Sequence, residues 1–412
     1  MHRLARFIRC SIRRQQAPLV FVAALAISGL ICSGPVFAGG PQKATTTPRD
    51  CASADAGKDQ SAVDASAKKD KSKRKPKKRK CQAAKVTAPS SYANHPAMRQ
   101  AADTIAQNHA LSRNWVRATL AQARMLPEVV RAVTPAQDPG IRNWQVYRAR
   151  MVDPVRVDAG VQFWLRNAKT LERAEQETGV PASIVVGILG VETIYGKRMG
   201  KFRVLDALAT LAFDFPASHP KAPARAAYFL QELEDFLIWC QSSGRDPLTV
   251  RGSYAGAMGM AQFMPSSWRK YAVDFDADGQ IDLFNNSADA IGSVAHYLAA
   301  FGWKKGMPTH YPVQLDASRA NLPALLEKDI LPSMSAAQMT ERGTILNPQA
   351  MQHTGALALI ELVNGNDALP DYVAGTDNFY VVTRYNWSSF YAMAVIELGE
   401  AVRAQLPPRA AP

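Results

Sequence analysis

A succession of helical segments, several of them followed by a glycine, runs from about residue 94 to residue 246 and restricts the chain to a mainly helical fold. Apolar residues recur at helical spacing over 97–109, 112–125, 161–178, 181–195, 205–213 and 225–243. Gly179, Gly196 and Gly244 stand where three of these helices should stop, because glycine readily adopts the left-handed backbone of a helix C-terminus. We therefore expect a packed core of helices in this part of the chain.

The rest of the chain adds a β-rich part to this helical core. A further helix is expected near 288–301, after a glycine-rich loop. Over 307–380, short apolar runs such as 311–315 and 380–383 are separated by proline, glycine and asparagine, which indicates strands and turns. The segment 388–405 returns to helical spacing, so the predicted fold class is mainly α, of the α+β type, with a small β-rich insert.

The net charge of +14 is concentrated near the N-terminal end. Residues 1–38 carry five arginines and no acid, and residues 68–80 carry ten bases and one acid, so the rest of the chain is nearly neutral. The tract at 68–80 has no aromatic residue on which a base could stack, and we expect no nucleic-acid partner. Because residues 39–90 contain hardly any large apolar side chain, they are predicted to form a disordered basic linker. The alternative is a loose association of this linker with anionic polymers of the cell envelope.

The first 38 residues have the organisation of an export signal. Arginines precede an apolar stretch at 19–31, and a cleavage site for the signal peptidase ends at Ala38. We expect export by the Sec route to a periplasm. The alternative, an outer-membrane lipoprotein anchored through Cys32, is disfavoured because Ile31 is bulky where the lipoprotein peptidase needs a small residue.

Three cysteines would remain after cleavage of the signal. Cys51 and Cys81 flank the basic tract and would be able to pair in an oxidising compartment. Cys240 continues an apolar helical stripe, which favours a small buried side chain over a reactive thiol. No cysteine is expected to be catalytic.

One carboxylate lies on the apolar stripe of the helix expected over 181–195. Ile188 and Glu192 are four residues apart and so share a helix face, while Gly187 leaves room for another backbone or a ligand. A sheltered carboxylate resists ionisation, which is the property that a general acid needs near neutral pH. The alternative is a structural role, in which Glu192 pairs with a nearby base such as Lys197.

A glycine-rich stretch over 251–268 contains Ser253, Tyr254, Gln262 and Trp268. Glycines let a loop pass close to a ligand, and hydroxyl, amide and ring groups are those that bind sugars. A helix start with core methionines would use the same residues, so both interpretations stay open at this point.

The next motif follows the front half of an EF-hand loop, with acids at positions one, three and five, a glycine at six and a carbonyl donor at seven: Asp274, Asp276, Asp278, Gly279 and Gln280. Position twelve is Asn285, and the next carboxylate, Asp289, is expected to close the coordination shell. Three carboxylates in one loop would repel each other without a cation, so we expect a structural calcium ion and no organic cofactor. A calcium sensor is not favoured, because sensors usually pair two such loops.

A polar and aromatic cluster precedes the last helix. Four aromatic rings occur within the seven residues from Tyr385 to Tyr391. Asn386 or Ser388 is able to cap the helix, but four rings exceed what a cap needs.

Together, these motifs resemble the lytic murein transglycosylase B family. The resemblance rests on Gly190-Val-Glu-Thr-Ile-Tyr-Gly196, on the stretch 256–267, on the calcium-type loop and on Tyr385-Asn386, and it extends from about Asn94 to Val402. It implies a goose-lysozyme-like catalytic core with an added helical domain and a small β domain. The implied divisions are a signal peptide at 1–38, the linker at 39–90, a helical domain at 91–178 with 204–250 packed against it, a lysozyme-like core at 179–303, a β-rich domain at 304–380 and a closing helix at 381–405.

The same resemblance assigns roles to single residues. It makes Glu192 the sole catalytic acid and base. The substrate-binding residues that it implies around Glu192 are Ser253, Gln262, Tyr385 and Asn386, with Tyr147, Tyr297 and Tyr391 as further cleft tyrosines and Arg225 as a basic residue near the peptide-bearing sugars. The implied calcium ligands are Asp274, Asp276, Asp278, the Gln280 carbonyl and Asp289, the last displaced by one residue from the family pattern.

Family membership implies cleavage of peptidoglycan glycan strands without water. A glycosidase ordinarily needs two carboxylates, and the motifs nearest Glu192 contain no second acid. The muramic C6 hydroxyl would then attack C1 and leave a 1,6-anhydro ring. The alternatives are a muramidase that uses water and a non-catalytic peptidoglycan-binding scaffold. Cell-wall synthesis or hydrolysis enzymes are the protein partners expected of such an enzyme.

Overall fold

The computed structural model describes residues 91–135, 142–366 and 368–407. The predictions made for the export segment at 1–38, the linker at 39–90 and the cysteines Cys32, Cys51 and Cys81 lie outside the described residues. In the described part, no helix combines the length and the apolar character needed to cross a membrane.

Helices dominate the first two thirds of the described chain. They are α1 (Pro96–Asn108), α2 (Arg113–Ala121), α3 (Pro127–Val133), α4 (Trp144–Met151), α5 (Pro154–Arg166), α6 (Ala168–Thr178), α7 (Ala182–Thr193), α8 (Val204–Phe213), α9 (Ala222–Ser243), α10 (Pro265–Tyr271) and α11 (Ser287–Ala300). Two short strands, β1 (Phe202–Arg203) and β2 (Arg251–Gly252), pair antiparallel beside them. The helical prediction for this region is thereby confirmed, although α3 and α4 were not expected.

The single helix predicted over 161–178 is wrong, because the chain turns at Asn167 between α5 and α6. The Asn167 side-chain amide donates to the Phe163 carbonyl at 2.8 Å, and its backbone N–H donates to the same oxygen at 3.1 Å. Asparagine side chains compete in this way with helical hydrogen bonds. The break lets α5 and α6 pack against different neighbours.

The C-terminal third contains a four-stranded antiparallel sheet in the order β4-β3-β6-β5. Its strands are β3 (His310–Leu315), β4 (Thr344–Leu346), β5 (Ala358–Leu362) and β6 (Asp371–Gly375). Helices accompany it: α12 (Leu322–Leu325), α13 (Ala336–Glu341), α14 (Pro348–Met351), α15 (Asp377–Thr383) and α16 (Ser389–Ala404). A hydrophobic cluster of its own, which includes Tyr311, Met339 and Ala374, lies under the sheet. The domain boundaries drawn from the sequence stay a prediction.

One of the predicted strand-like runs is in fact helical. Residues 380–383 lie in α15, which begins where the Thr376 hydroxyl accepts a hydrogen bond from the Asn378 backbone N–H at 3.1 Å. Phe379 and Val382 of this helix are buried. A threonine cap and burial on a helical face therefore override the β preference of the local valines.

Helices α7 and α16 cross at the centre of the fold at backbone contact. A Cβ atom added at Gly187 would lie 2.1 Å from the Val395 carbonyl oxygen, and one added at Gly399 would lie 2.0 Å from the Ser183 carbonyl oxygen. Only glycine permits this approach. Every residue of α7 except Glu192 is buried, so the helix delivers one carboxylate from the core to the surface.

The end of α7 differs from the expected stop at Gly196. The helix ends at Thr193, and Ile194 and Tyr195 follow with φ angles of 51° and 56° before Gly196 at 89°. Left-handed backbone is rare for a branched residue such as isoleucine. The tight turn reverses the chain directly after Glu192.

We predict that Gly187→Ala lowers the free energy of unfolding by about 3 kcal/mol, since the methyl group must push α16 away from α7. An alanine in an unobstructed helix would instead stabilise the protein by roughly 0.5–1 kcal/mol. Urea unfolding at constant pH measures the difference.

Gly244→Ala is the matched control for this substitution. No atom lies within 4 Å of its added Cβ, and its φ is +67°, so its cost is confined to left-handed strain of about 1–2 kcal/mol. A Gly187→Ala protein as stable as the wild type would show that the two helices do not depend on this contact.

Candidate active site

Glu192 sits at the solvent end of α7 as the one residue of that helix that is not buried. The surrounding protein desolvates its carboxyl group and raises the Glu192 pKa from 4.5 to about 7. The Tyr391 hydroxyl donates a hydrogen bond to Glu192 Oε1 at 2.6 Å, which acts in the opposite direction and lowers the pKa. Near neutral pH the carboxyl group is thus able both to give and to take a proton.

Four tyrosines form a cluster on the side of Glu192: Tyr147, Tyr297, Tyr385 and Tyr391. The rings of Tyr391 and Tyr385 are nearly parallel with centroids 6.4 Å apart, and Tyr385 meets Tyr297 edge-on at 4.9 Å. Burial, followed by the charge of Glu192, raises the pKa of Tyr147 to about 12. Burial and the same charge raise the pKa of Tyr385 and Tyr391 as well, so these hydroxyls remain protonated donors.

The cap of α16 places Tyr391 opposite Glu192. The Ser388 hydroxyl accepts from the Tyr391 backbone N–H at 3.3 Å, so the helix begins at Ser389 and Tyr391 lies in its first turn. Of the two caps considered from the sequence, the structure uses Ser388. Asn386 directly follows Tyr385, and its side-chain oxygen is buried.

Two side-chain hydrogen bonds hold the glycine-rich loop, one from the end of α7 and one from the chain after α15. The Thr193 hydroxyl donates to the Met260 carbonyl at 2.8 Å, and the Tyr385 hydroxyl donates to the Ala261 carbonyl. Thr193 is fully buried and also accepts from the Gly196 backbone N–H at 2.9 Å. Thr193 was missed by the sequence argument; its position next to Glu192 was the only signal for it.

Two predicted substrate residues, Ser253 and Gln262, belong to this loop. The Ser253 hydroxyl accepts from the Ala257 backbone N–H at 3.0 Å. Gln262 has a φ of 49°, and its side-chain Nε2 donates to the Gly259 carbonyl at 2.9 Å. Gln262 Nε2 also donates to the Met199 carbonyl at 3.2 Å, so both side chains hold the loop in shape.

The last of the predicted site residues, Arg225, belongs to α9. It is half-buried in the first turn of α9, where its charge lowers the pKa of Tyr228 against the raising effect of burial. Tyr228 in turn interacts electrostatically with Tyr297.

The calcium-type loop gathers three carboxylates. Oxygen atoms of Asp274, Asp276 and Asp289 lie within 4.8 Å of one another. Asp289 is fully buried at the start of α11 and accepts from the backbone N–H groups of Phe275 at 2.7 Å and Asp282 at 2.8 Å. Burial, together with the charges of the two other acids, raises the Asp289 pKa.

Of the remaining predicted ligands, the carboxylate of Asp278 is not part of this group. Asp278 Oδ1 instead accepts a hydrogen bond from the Gln280 backbone N–H, two residues along the same loop, at 2.8 Å. Three carboxylates with clustered oxygens fit a hard divalent cation such as calcium.

The structure thus presents a sheltered glutamate that accepts a hydrogen bond from a tyrosine, and a loop with EF-hand spacing that gathers three carboxylates. Residues 93–400 match the family model described as Transglycosylase SLT domain. The chain belongs to the lytic murein transglycosylase B family, and it is an enzyme of the peptidoglycan-cleaving lyase class. The membrane-bound lytic murein transglycosylase B of Escherichia coli (strain K12) is 41% identical over 320 residues, which are 76% of this chain and 84% of that protein.

Two solved structures extend this relationship. The Escherichia coli lytic transglycosylase Slt35, in complex with calcium, is 40% identical with a TM-score of 0.65 and matches 76% of this chain and 94% of that chain. SltB3 from Pseudomonas aeruginosa, in complex with NAG-anhNAM-pentapeptide, is 28% identical with a TM-score of 0.62 over 76% and 82%. The family and the mainly helical, lysozyme-like fold predicted from the sequence are thereby confirmed.

We predict that Tyr391→Phe raises the Glu192 pKa above about 7, because the lost hydrogen bond favours the ionised carboxylate. Carboxyl NMR titration of protein labelled in its glutamate side chains measures this pKa directly. Tyr385→Phe is the control, since its hydroxyl donates to the Ala261 carbonyl rather than to Glu192. An unchanged or lowered Glu192 pKa in Tyr391→Phe would contradict the assigned hydrogen bond.

Proposed function

We propose that the protein cleaves the β-1,4 bond between N-acetylmuramic acid and N-acetylglucosamine and leaves a 1,6-anhydro-N-acetylmuramic acid end. The observation that carries the proposal is Glu192, a carboxyl group with a pKa of about 7 that is hydrogen-bonded by Tyr391. A group with this pKa serves as acid and then as base within one turnover at neutral pH.

The reaction divides into two proton transfers through one carboxyl group. Protonated Glu192 donates to the glycosidic oxygen, which leaves as the C4 hydroxyl of N-acetylglucosamine. The resulting carboxylate then takes the proton of the muramic C6 hydroxyl while that oxygen bonds to C1. The proton returns to Glu192, no water is consumed, and the two products contain all atoms of the substrate.

The surroundings of Glu192 support a single-carboxylate mechanism. Within the described residues, burial and the Tyr391 hydroxyl are the causes of its pKa shift, and no second carboxylate contributes. Glycosidases that use water place a second carboxyl group roughly 5–9.5 Å from the first. An internal nucleophile removes the need for that group.

The remaining cleft residues are proposed to bind the sugars. Tyr147, which is half-buried, has a protonated hydroxyl and an aromatic ring of the kind that contacts sugars, and the buried Tyr385 and Tyr391 pack behind Glu192 with their hydroxyls protonated. The bound NAG-anhNAM-pentapeptide of the related SltB3 supports peptidoglycan glycan strands as the substrate class. The assignments of Ser253, Gln262, Asn386, Tyr297 and Arg225 to substrate binding stay predictions.

Calcium is proposed as a structural ion. Asp274, Asp276 and Asp289 already gather their oxygens, with Asp278 and the Gln280 carbonyl as the further ligands proposed from the loop pattern. When bound, the ion supplies charge neutralisation and joins the loop to α11. The calcium complex of the related Slt35 supports the choice of metal.

The cellular setting follows from the substrate. We propose that the enzyme acts in the periplasm, where peptidoglycan lies, and that it works beside other enzymes of cell-wall synthesis or hydrolysis. The export signal on which this proposal rests occupies residues 1–38, outside the described part of the chain.

Glu192→Gln tests the proposed function. We expect the variant to bind sacculi but to release muropeptides at least 10²–10⁴ times more slowly, because the amide keeps the shape and loses the transferable proton. Glu177→Gln, an exposed carboxylate on α6, is the control and should cleave like the wild type. Activity of Glu192→Gln within about tenfold of the wild type would sink the proposal.

The same variant carries a stability signature that does not depend on activity. Folding raises the pKa of Glu192 from 4.5 to about 7, so the folded protein holds this proton more tightly than the unfolded chain does. The resulting contribution to the free energy of unfolding is present below pH 4.5 and is lost as the pH rises through 7. Glu192→Gln escapes that loss. We expect it to be as stable as the wild type at low pH and more stable by on the order of 3 kcal/mol above neutral pH. Urea unfolding across this range checks the trend, and equal stability at all pH values would contradict the raised pKa.

Chelation tests the calcium site. We expect EDTA to lower the melting temperature, since an ion that binds only the folded chain adds about 2.7 kcal/mol at a hundredfold excess over its dissociation constant. Asp276→Ala should abolish the calcium-dependent shift, whereas Glu341→Gln, an exposed acid outside the loop, should keep it. A melting curve that EDTA leaves unmoved would refute the site, and loss of cleavage without unfolding would make the ion catalytic instead of structural.

A further inference from the structure

A pocket opens between α5, α6 and the start of α7, at the end of α7 opposite to Glu192. It has a volume of about 320 Å³ and is lined by Trp164, Ala168, Glu172, Glu175, Gln176, Ala182 and Lys305. This volume falls at the lower end of the roughly 300–1,000 Å³ typical of small-molecule sites. Nothing in the proposed reaction uses these side chains.

The fold holds three of the lining groups in place. Glu175 Oε2 accepts from the Ala182 backbone N–H at 3.0 Å, which ties α6 to the first residue of α7. The carbon chain of Lys305 packs against Gly179, where an added Cβ would lie 2.7 Å from the Lys305 Cβ. Trp164 is half-buried, with one part packed against the core and the rest in the pocket. The pocket wall therefore needs little ordering when a ligand binds.

The chemistry of the lining selects among ligand classes. Glu172 and Glu175 disfavour an anion, and the ammonium group of Lys305 disfavours a simple cation. An indole ring beside an amide, carboxylates and an ammonium group offers a stacking face with both donors and acceptors. A neutral, polyhydroxylated ligand with an apolar ring face meets all of these groups, and a sugar is such a ligand.

We propose that this pocket is a second glycan-binding site, which holds an N-acetylated sugar of a peptidoglycan strand away from the bond being cut. The proposal rests on the proposed function, because it takes the glycan strand as the substrate. Ala182 and Glu192 lie ten residues apart on α7, so the pocket and the carboxyl group are separated by roughly 15 Å along the helix axis.

A second sugar-binding site of this kind strengthens the binding of a polymer that reaches both sites, but not the binding of a short fragment. Once one sugar is held in the pocket, the rest of the strand or a neighbouring strand is presented to the cleft at a high effective concentration. The pocket should therefore strengthen binding to intact sacculi while leaving the cleavage of short soluble strands unchanged.

The direct test measures sugar binding in the Glu192→Gln background, which prevents cleavage. The probe is a β-1,4-linked N-acetylglucosamine tetramer, titrated by calorimetry. We expect two equivalents to bind, and one equivalent to be lost both in Trp164→Ala and in the double variant Gln176→Ala with Lys305→Ala. The double variant changes exposed residues only, so its folding is not at risk. Leu165→Ala, an exposed neighbour of Trp164 that does not line the pocket, is the control and should keep both equivalents. One equivalent in the unaltered background would overturn the proposal.

Sedimentation with purified sacculi provides the second readout. We expect both pocket variants to bind sacculi at least about fivefold more weakly than the control, as is usual when an anchoring tryptophan is truncated. With Glu192 restored, they should release muropeptides from short soluble strands at the wild-type rate. Unchanged sacculus binding alongside normal cleavage would refute the second site alone, whereas absence of cleavage by the wild type would refute the proposed function.

Discussion

The close crossing of α7 and α16 is the contact on which the active site depends. Gly187 of α7 contacts the Val395 carbonyl, and Gly399 of α16 contacts the Ser183 carbonyl. Each helix thus has a glycine at the point where the backbone of the other helix comes closest. One helix carries Glu192 and the other carries Tyr391, and their backbone contact sets the 2.6 Å hydrogen bond between the two side chains. A side chain at either glycine would push the two helices apart and so disturb the hydrogen bond between the acid and its donor. The packing of α7 against α16 and the protonation of Glu192 thus depend on the same contact.

Desolvation of the Glu192 carboxyl group then sets its pKa. An exposed glutamate would be ionised at neutral pH, but the protein around Glu192 raises its pKa to about 7 while Tyr391 limits the rise. The tyrosines respond in the opposite sense, because burial and the charge of Glu192 keep them protonated. The proposed site therefore combines one group whose pKa permits it to exchange a proton near neutral pH with several that only donate hydrogen bonds. Such a division of roles suits a reaction in which the substrate provides its own nucleophile.

The helix that carries Glu192 and the acidic loop were predictable from the sequence, because both depend on residues that are close together in the chain. The i, i+4 placement of Glu192 on an apolar stripe and the acid spacing from Asp274 to Asp278 depend on neighbouring residues alone. Other features escaped prediction because their cause is tertiary. Ile194 and Tyr195 adopt left-handed backbone that neither residue type favours, directly after Thr193, whose hydroxyl donates to the distant Met260 carbonyl.

Contacts to backbone carbonyls were the least predictable class. Every residue has a carbonyl, so nothing in the sequence marks Met260 as the partner of Thr193. The same holds for the Phe163 carbonyl, which receives the Asn167 side chain and breaks the expected helix. The pocket at Trp164 likewise joins residues from α5, α6, α7 and the chain after α11, and no motif connects them.

The central claim is that the C6 hydroxyl of the substrate, and not water, displaces the leaving sugar at Glu192. Cleavage of sacculi in water enriched in heavy oxygen, followed by mass spectrometry of the released muropeptides, tests it most directly. The account predicts muropeptides that end in anhydro-muramic acid and contain no heavy oxygen. Muropeptides that end in a reducing muramic acid carrying one heavy oxygen atom would contradict it and would identify the enzyme as a hydrolase.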